Sequence, residues 1–379
     1  MRVCFVSHSS GKYGAELSLI ELLSGLTELG VDCKVLVPEK GPLLVALDRL
    51  HIEWQVIGYP NWISEPRRRG VFRRIKRTFR TLFWIIPMVR AITTWRCDVV
   101  YTNTAIVSVG ALAAWLARLP HVWHLHEAGY CRKQLFDLGK HAPRLIDYFS
   151  ASIIVISRAV ENEYSLYISP QKLRVIYQAV TLREGNNPPD WIKDKQRFRC
   201  AIVGSLHASK GQHEAIAALA ELVRWGIDAE LLIVGTGDNR FRNLLGQYVK
   251  HHGLEERVIF HGYVENPLPL IRDADVILMC SHFEAFGRVT VEAMLAGKPV
   301  IGTASGGTAE LIQDGKTGLL YEPENHKELA MKIQCLFENP KKRLELGTAA
   351  HIWATGRFTQ KRYAREVHDL LSEVLTRRG

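Results

Sequence analysis

The 379-residue chain reads as an α/β protein with two Rossmann-like, doubly wound domains. Three observations predict this. Short apolar runs alternate with helical stretches along most of the chain, the pattern of a parallel sheet covered by helices. Several runs end in glycine-bearing loops, and ligands of such sheets bind beyond the carboxyl ends of the strands. The alternation breaks once, at the polar stretch REGNNPPDWIKDKQ (183–196), and then restarts. At roughly 100–200 residues per domain the length also suits two domains.

In chain order, RVCFVS (2–7) has the composition of a buried strand and HSSGKYGAE of a glycine-bearing loop. LSLIELLSGLTELG (17–30) carries apolar residues at helical spacing and ends on Gly30, a good C-terminal cap. DCKVLVP, DVVYTN (98–103), HVWHLHE (121–127) and SIIVIS (152–157) continue as strands, with the helix VGALAAWLARL between the second and third of them. After the break come the strand FRCAIVGS, the loop LHASKGQ and the helix HEAIAALAELVRWG. AELLIVGTG, VIFHGYV, DADVILMCS and PVIGT then read as strands, and the alternation runs to about residue 340. We therefore place one domain at 1–185 and another at 198–358. The amphipathic stretch TQKRYAREVHDLLSEVLTRR forms a final helix over 359–379 that can pack back on either domain.

A formal net charge of +10 favours an acidic partner: a phosphorylated ligand, an anionic membrane or nucleic acid. The basic segment 67–90, RRRGVFRRIKRTFRTLFWIIPMVR, contains no acidic residue. Phe72, Ile75, Phe79, Leu82, Phe83 and Ile86 recur in it at helical spacing, with Arg73, Arg74, Arg77 and Arg80 among them. That is the pattern of a basic amphipathic helix on an anionic membrane surface, or of a core helix with a solvated basic face. Nucleic acid fits less well, because the aromatics lie on the apolar face and do not interleave with the cations as a stacking platform. The seven cysteines show no C-x-x-C or zinc spacing and read as free thiols of a reducing compartment. MRVCFVSHSS has no secretory character, and no apolar run approaches the roughly 20 residues of a membrane helix. The expectation is a cytoplasmic protein, peripheral on the inner face of the cytoplasmic membrane where the basic segment engages it.

Four loops are candidates for chemistry. In SGKYGAE, Gly11 and Gly14 let backbone approach a ligand, and the helix starting near Ala15 offers N–H groups to an anion; the alternative is a tight turn. In GSLHASKG, Lys210 precedes a helix and suits phosphate, or is a plain surface lysine; the P-loop order is missing. VGTGDN is a lone G-x-G, with Gly235 at the turn. The fourth, SHFEAFGRVTVEAM (281–294), is more specific. In one continuous helix Glu284 and Glu292 would lie about 80° apart around the axis and about 12 Å along it, too far to grip one small group. If Gly287 marks a loop-to-helix turn, both carboxylates can face one ligand, with the N–H groups of Phe286, Gly287 and Arg288 between them.

The stretch HFEAFGRVTVEAMLAGKPVIGTASGGTAELIQDGKTGLLY closely resembles the core of family 4 of the retaining glycosyltransferases, whose fold is called GT-B. Its hallmark, two glutamates separated by seven residues, is met by Glu284 and Glu292. VGSLHASKG, VGTGD, FHGYV and the early YGAE also fit, in order. The resemblance covers most of the chain and is strongest over 198–322.

The resemblance implies that Glu292 holds ribose hydroxyls and Glu284 the donor sugar. The backbone of Phe286, Gly287, Arg288 and Val289 would then lie near sugar and phosphates. Lys210 would bind the diphosphate, helped by Gly14, with Ser205, Gly235 and Val264 also on the donor and the base held by backbone after FHG. His126 matches a histidine beside the donor sugar, so His126, Glu284 and Lys210 are the catalytic candidates. His124 is read as structural, on the opposite strand face. The second domain would be the donor domain, the first would hold most of the acceptor site, and the last helix would cross back onto the first.

Where the family often has arginine this chain has Ser205, and Arg288 is expected to supply part of the missing charge. Asp273 and Asp275 form a D-x-D at a strand start, read as structural, so no metal or other cofactor is expected. The implied activity is a retaining, metal-independent transfer of sugar from a nucleotide-sugar donor to a glycan or lipid-linked acceptor, as in surface polysaccharide, lipopolysaccharide or glycolipid synthesis. The alternatives are a nucleotide-sugar epimerase or hydrolase of similar fold and a non-catalytic nucleotide-sugar binding subunit.

Overall fold

The computed structural model describes residues 1–63, 71–131, 133–182 and 197–377. The chain divides into two compact units, one of residues 1–179 with 359–379 and one of residues 180–358. The crossing between them falls at 179/180, a few residues before the expected boundary at 185. The polar break over 183–196 lies outside the described residues.

The first unit runs β1 (Arg2–Ser7), α1 (Gly14–Glu28), β2 (Asp32–Val37), α2 (Pro42–Arg49), β3 (Glu53–Val56), α3 (Val71–Thr94), β4 (Val99–Asn103), α4 (Val109–Leu116), β5 (His121–Leu125), α5 (Ala142–Phe149), β6 (Ser152–Val155), α6 (Arg158–Tyr164) and β7 (Leu173–Val175). The second runs β8 (Phe198–Val203), α7 (Gln212–Arg224), β9 (Ala229–Val234), α8 (Asn239–His251), β10 (Val258–Gly262), α9 (Leu268–Asp273), β11 (Val276–Met279), α10 (Arg288–Leu295), β12 (Val300–Thr303), α11 (Gly306–Leu311), β13 (Leu319–Tyr321), α12 (His326–Glu338) and α13 (Pro340–Arg357). The last helix, α14 (Gln360–Thr376), belongs to the first unit.

Each unit has a parallel sheet whose order reverses beside its first strand: β3-β2-β1-β4-β5-β6-β7 and β10-β9-β8-β11-β12-β13. This is the doubly wound order, which opens a crevice at the carboxyl ends of the strands on either side of the reversal. The central strands are buried on both faces, which is why they read as unbroken apolar runs. Strands β3, β7 and β13 fall where the sequence suggested no strand. They have only four, three and three residues, too few to show a period.

Helix α14 lays Tyr363, Val367, Leu371 and Val374 into the core of the first unit, and its Tyr363 hydroxyl lies 3.1 Å from Ser18 Oγ. Helix α3 is more instructive. Its core contacts come from Ile85, Met88, Ala91 and Ile92, while Phe79, Leu82, Phe83 and Ile86 are 50–69% exposed. The apolar face expected from spacing is therefore mostly turned to solvent. Arg77, expected on the basic face, turns inward and forks onto Asp137, with Nε and Nη2 each 2.7 Å from a carboxylate oxygen. Residues 67–70 and the side chains of Phe72, Arg73, Arg74 and Ile75 lie outside the described residues.

Candidate functional site

In the second unit the loops after β8 and β11 bring together residues far apart in sequence. Lys210 ends a short 3-10 turn, Ala208–Lys210, just before α7. Gly211 then takes φ +68°, and a Cβ there would lie 2.0 Å from the carbonyl oxygen of Cys280. Only glycine lets the two loops approach this closely. The outcome is an ion pair between Lys210 Nζ and Glu284 Oε1. Glu284 Oε1 also accepts from Ser281 Oγ at 2.7 Å, and the Glu284 carbonyl accepts from Gly307 N at 2.8 Å. Glu284 is thus held by its own loop and by two other chain segments.

Gly287 resolves the spacing of the two glutamates. It caps α10 at φ +97°, a conformation that costs a residue with Cβ roughly 1–2 kcal/mol. Glu284 lies in the loop before this turn and Glu292 within the helix after it, both half-buried. Arg288 is the first helical residue. Phe286 is buried, its ring 5.7 Å from that of Phe358, so its side chain anchors the loop and leaves only its backbone for a ligand. Val289 is half-buried.

Ser205 is exposed, and its carbonyl accepts from Gln212 Nε2 at 2.9 Å. The amide of Gly235 donates to the Gly262 carbonyl at 2.8 Å, so this N–H serves the fold. Val264 is half-buried beside the exposed Tyr263. Asp273 and Asp275 lie at the opposite, amino-terminal edge of the sheet and both bind Arg199.

In the first unit Gly14 opens α1. The sequence reading missed Glu16, which is fully buried in the mouth of this helix. It accepts from Tyr13 N at 3.1 Å and from Ser9 Oγ at 2.5 Å, and lies 3.1 Å from His8 Nε2. A glutamate three residues after the residue that caps a helix was the available signal. Burial lowers the pKa of His8, against the pull of Glu16.

His126 follows β5, with Nε2 2.9 Å from Asn103 Oδ1; Asn103 in turn donates to the Ala15 carbonyl at 3.2 Å. One expectation is overturned here. His124 is not on the opposite side from His126, since their ring centroids lie 4.1 Å apart. Residues two apart on a strand share a face. His124 is buried, bonded to Tyr101 Oη at 2.7 Å, and desolvation pushes its pKa down to about 3. Glu127, also unforeseen, accepts from Ala105 N at 2.8 Å and His126 N at 3.1 Å. Burial raises its pKa to about 7, against these hydrogen bonds.

Comparison with known proteins fits this arrangement. The family model described as Glycosyltransferase Family 4 matches residues 13–184, and that described as Glycosyl transferases group 1 matches residues 184–353. An uncharacterized glycosyltransferase of Methanocaldococcus jannaschii is 31% identical over 245 residues, covering 59% of this chain and 62% of that protein. A glycogen synthase of Mycobacterium tuberculosis is 28% identical over 260 residues, 65% of this chain and 61% of that one. The aligned region thus spans about three fifths of the length of these relatives. The crystal structure of Anabaena HepE in complex with UDP and glucose superposes with a TM-score of 0.83 at 27% identity, covering 98% of this chain and 100% of that one. HepE has also been solved with UDP-glucose.

Proposed function

The chain belongs to family 4 of the glycosyltransferases, with the GT-B fold, and on that premise we propose that it moves a sugar from a nucleotide-sugar donor to a glycan or lipid-linked acceptor, with retention and without a metal ion. The observation that carries this reading is the Lys210–Glu284 ion pair at the carboxyl edge of the second sheet, beside the N-terminus of α10. A donor entering there breaks the pair. Lys210 turns to the diphosphate, and Glu284 is freed to accept from sugar hydroxyls. Glu292 takes the ribose.

As the bond from the anomeric carbon to the phosphate oxygen breaks, negative charge grows on the diphosphate. Lys210, Arg288 and the N–H groups at the start of α10 stabilise it without a metal. The acceptor oxygen bonds to the anomeric carbon, and its proton passes to the leaving phosphate oxygen. His126, oriented by Asn103, lies by the sugar in this reading. Arg288 stands in for the charge that Ser205 lacks. The HepE complexes make a uridine diphosphate hexose the first donor to test.

A lipid-linked acceptor in surface polysaccharide or glycolipid synthesis is supported by α3, whose exposed Phe79, Leu82, Phe83 and Ile86 sit beside the exposed Lys76 and Arg80. An apolar face flanked by cations suits an anionic membrane surface. Beneath the same helix lies a largely apolar cavity of ≈ 180 Å³, lined by Leu82, Leu112, Trp123, Leu138 and Phe149 among others. Among the described residues no helix is long and apolar enough to cross a membrane.

The deciding experiment is a thermal-shift screen of nucleotides and nucleotide sugars with the full chain, followed by transfer assays with and without EDTA. The true donor raises the melting temperature, and turnover survives chelation. No shift with any nucleotide sugar overturns the reading. Loss of turnover in EDTA that Mg²⁺ or Mn²⁺ restores overturns its metal independence, and release of free sugar without acceptor would point to a hydrolase.

A further inference from the structure

Three residues outside the donor set converge within the second unit. His213 is the second residue of α7, Glu214 follows it, and His282 lies in the loop after β11. One ligand-competent atom of each lies within 4.8 Å of the other two. The histidine ring centroids are 5.9 Å apart. Between them Glu214, only 4% exposed, accepts from His282 Nε2 at 2.7 Å through Oε1.

The surroundings hold these groups in a fixed attitude. Glu214 Oε2 accepts from Tyr321 Oη at 3.0 Å and from Glu324 N at 3.2 Å, which leaves Oε1 turned to the histidines. His282 is pinned through its backbone: its N–H donates to the Ser209 carbonyl at 3.0 Å, and its carbonyl accepts from Ser305 Oγ at 2.8 Å. The other ring nitrogen of His282, Nδ1, lies 3.8 Å from Glu324 Oε1. A histidine with a carboxylate behind its far nitrogen, next to a carboxylate whose second oxygen is tied down, is how metal ligands are commonly oriented.

We propose that His213, Glu214 and His282 bind a zinc-class divalent ion, with water completing the coordination. Two imidazoles and one carboxylate, without sulfur, suit Zn²⁺, Co²⁺ or Ni²⁺, and suit Mg²⁺ poorly because it prefers oxygen ligands. Bonds of about 2.0–2.1 Å place neighbouring ligand atoms about 3.3 Å apart, so His282 Nε2 must draw back from Glu214 by well under 1 Å and the widest pair, within 4.8 Å, must close by up to about 1.5 Å. The ion would fasten the start of α7 to the loop that leads into Glu284. It would thus tie down the two segments that carry Lys210 and Glu284, which lie three residues before His213 and two after His282. The site uses none of the residues assigned to the donor and stands apart from the transfer reading.

The test uses the full, untagged chain, freed of metal by chelation and dialysis. One equivalent of Co²⁺ should give visible ligand-field bands, and saturating Zn²⁺ should raise the melting temperature by about 5 °C while Mg²⁺ leaves it unchanged. His213→Gln and His282→Gln should abolish the Co²⁺ bands. Glu324→Gln, at an exposed position behind His282, should weaken binding about 10-fold, as expected when a supporting partner of a ligand is lost. Circular dichroism without metal confirms that each variant is folded. Absence of the bands and of the Zn²⁺ shift in the parent protein overturns the proposal. So do bands that persist in His213→Gln and His282→Gln, since the ion would then be bound elsewhere. The donor-induced thermal shift addresses the proposed function and the Co²⁺ spectrum addresses this site, so the two readings fail separately.

Discussion

Arg2 and Arg199 occupy the same place in two copies of one design. Arg2 is the first residue of β1 and Arg199 the second of β8, and each faces an acid on the neighbouring strand, Asp32 for Arg2 and Glu230 for Arg199. Each also exchanges backbone hydrogen bonds with an aspartate just before the fourth strand of its unit. Arg2 N donates to Asp98 Oδ2 at 2.7 Å and Asp98 N returns a bond to the Arg2 carbonyl at 2.8 Å. For Arg199 and Asp275 both distances are 2.8 Å. The repetition explains the D-x-D of the second unit: Asp275 is the counterpart of Asp98 and fastens a sheet edge. The difference is burial. The Arg2 side chain is 37% exposed, whereas that of Arg199 is 4% exposed and also paired with Asp273. The same hydrogen-bond pattern therefore carries different energetic weight, because water screens one ion pair and is excluded from the other.

The largest expected effect tests that contrast directly. Arg199→Ala strands Glu230 and Asp273 and should cost about 3–5 kcal/mol. Arg2→Ala should leave the unfolding midpoint almost unmoved. Urea unfolding followed by circular dichroism reads both, and equal losses would refute burial as the deciding factor.

Next comes the electrostatic division between the units. Lys210→Ala should lower kcat/KM by about 10²–10³-fold, the loss typical when a group stabilising developing charge is removed. Steady-state kinetics with the donor found by thermal shift would show it. His126→Asn should lower turnover while leaving the donor-induced thermal shift intact. If the histidine variant lost donor binding and Lys210→Ala kept it, the proposed division of labour would be inverted.

A pH experiment probes the first unit. The Glu127 carboxyl keeps its proton up to about pH 7 in the fold and to about 4.5 in the unfolded chain. The folded state therefore binds more protons between those values. The contribution is full below pH 4.5 and is lost as pH rises through 7, at roughly 3–4 kcal/mol in all. Buried His121 and His124 act with the opposite sign. Their pKa values fall to about 3, so their contribution is present above pH 6.5 and lost as pH falls toward 3. Subtracting the melting temperatures of Glu127→Gln from those of the parent between pH 5 and 8 isolates the first group. A flat difference would rule out the raised carboxyl.

The smallest expected effect concerns α3, whose exposed face has no counterpart assigned in the second unit. Phe79→Ser with Phe83→Ser should leave stability within about 0.5 kcal/mol, because both rings are already exposed. The same pair should reduce co-sedimentation with anionic liposomes several-fold. Unchanged sedimentation would remove the membrane surface from the proposed function.

The amino-acid sequence by itself determined the alternation of buried strands and helices, the restart after the polar break, and the paired glutamates around Gly287. These are local features: strand burial, helical period and a left-handed turn each leave their mark within a few residues. It did not reveal Glu16 in the mouth of α1, the burial of Glu127 in the loop after β5, or the inward turn of Arg77. Nor did it show that the apolar spacing in α3 points mostly to water. Those depend on which surfaces a neighbouring element covers, and a carboxylate near a loop reads the same whether solvent or backbone amides surround it. The contact of Lys210 with Glu284, 74 residues away, likewise came only with the fold. So did the meeting of His213 and Glu214 with His282, because parallel strands joined by long crossovers bring distant loops to one sheet edge.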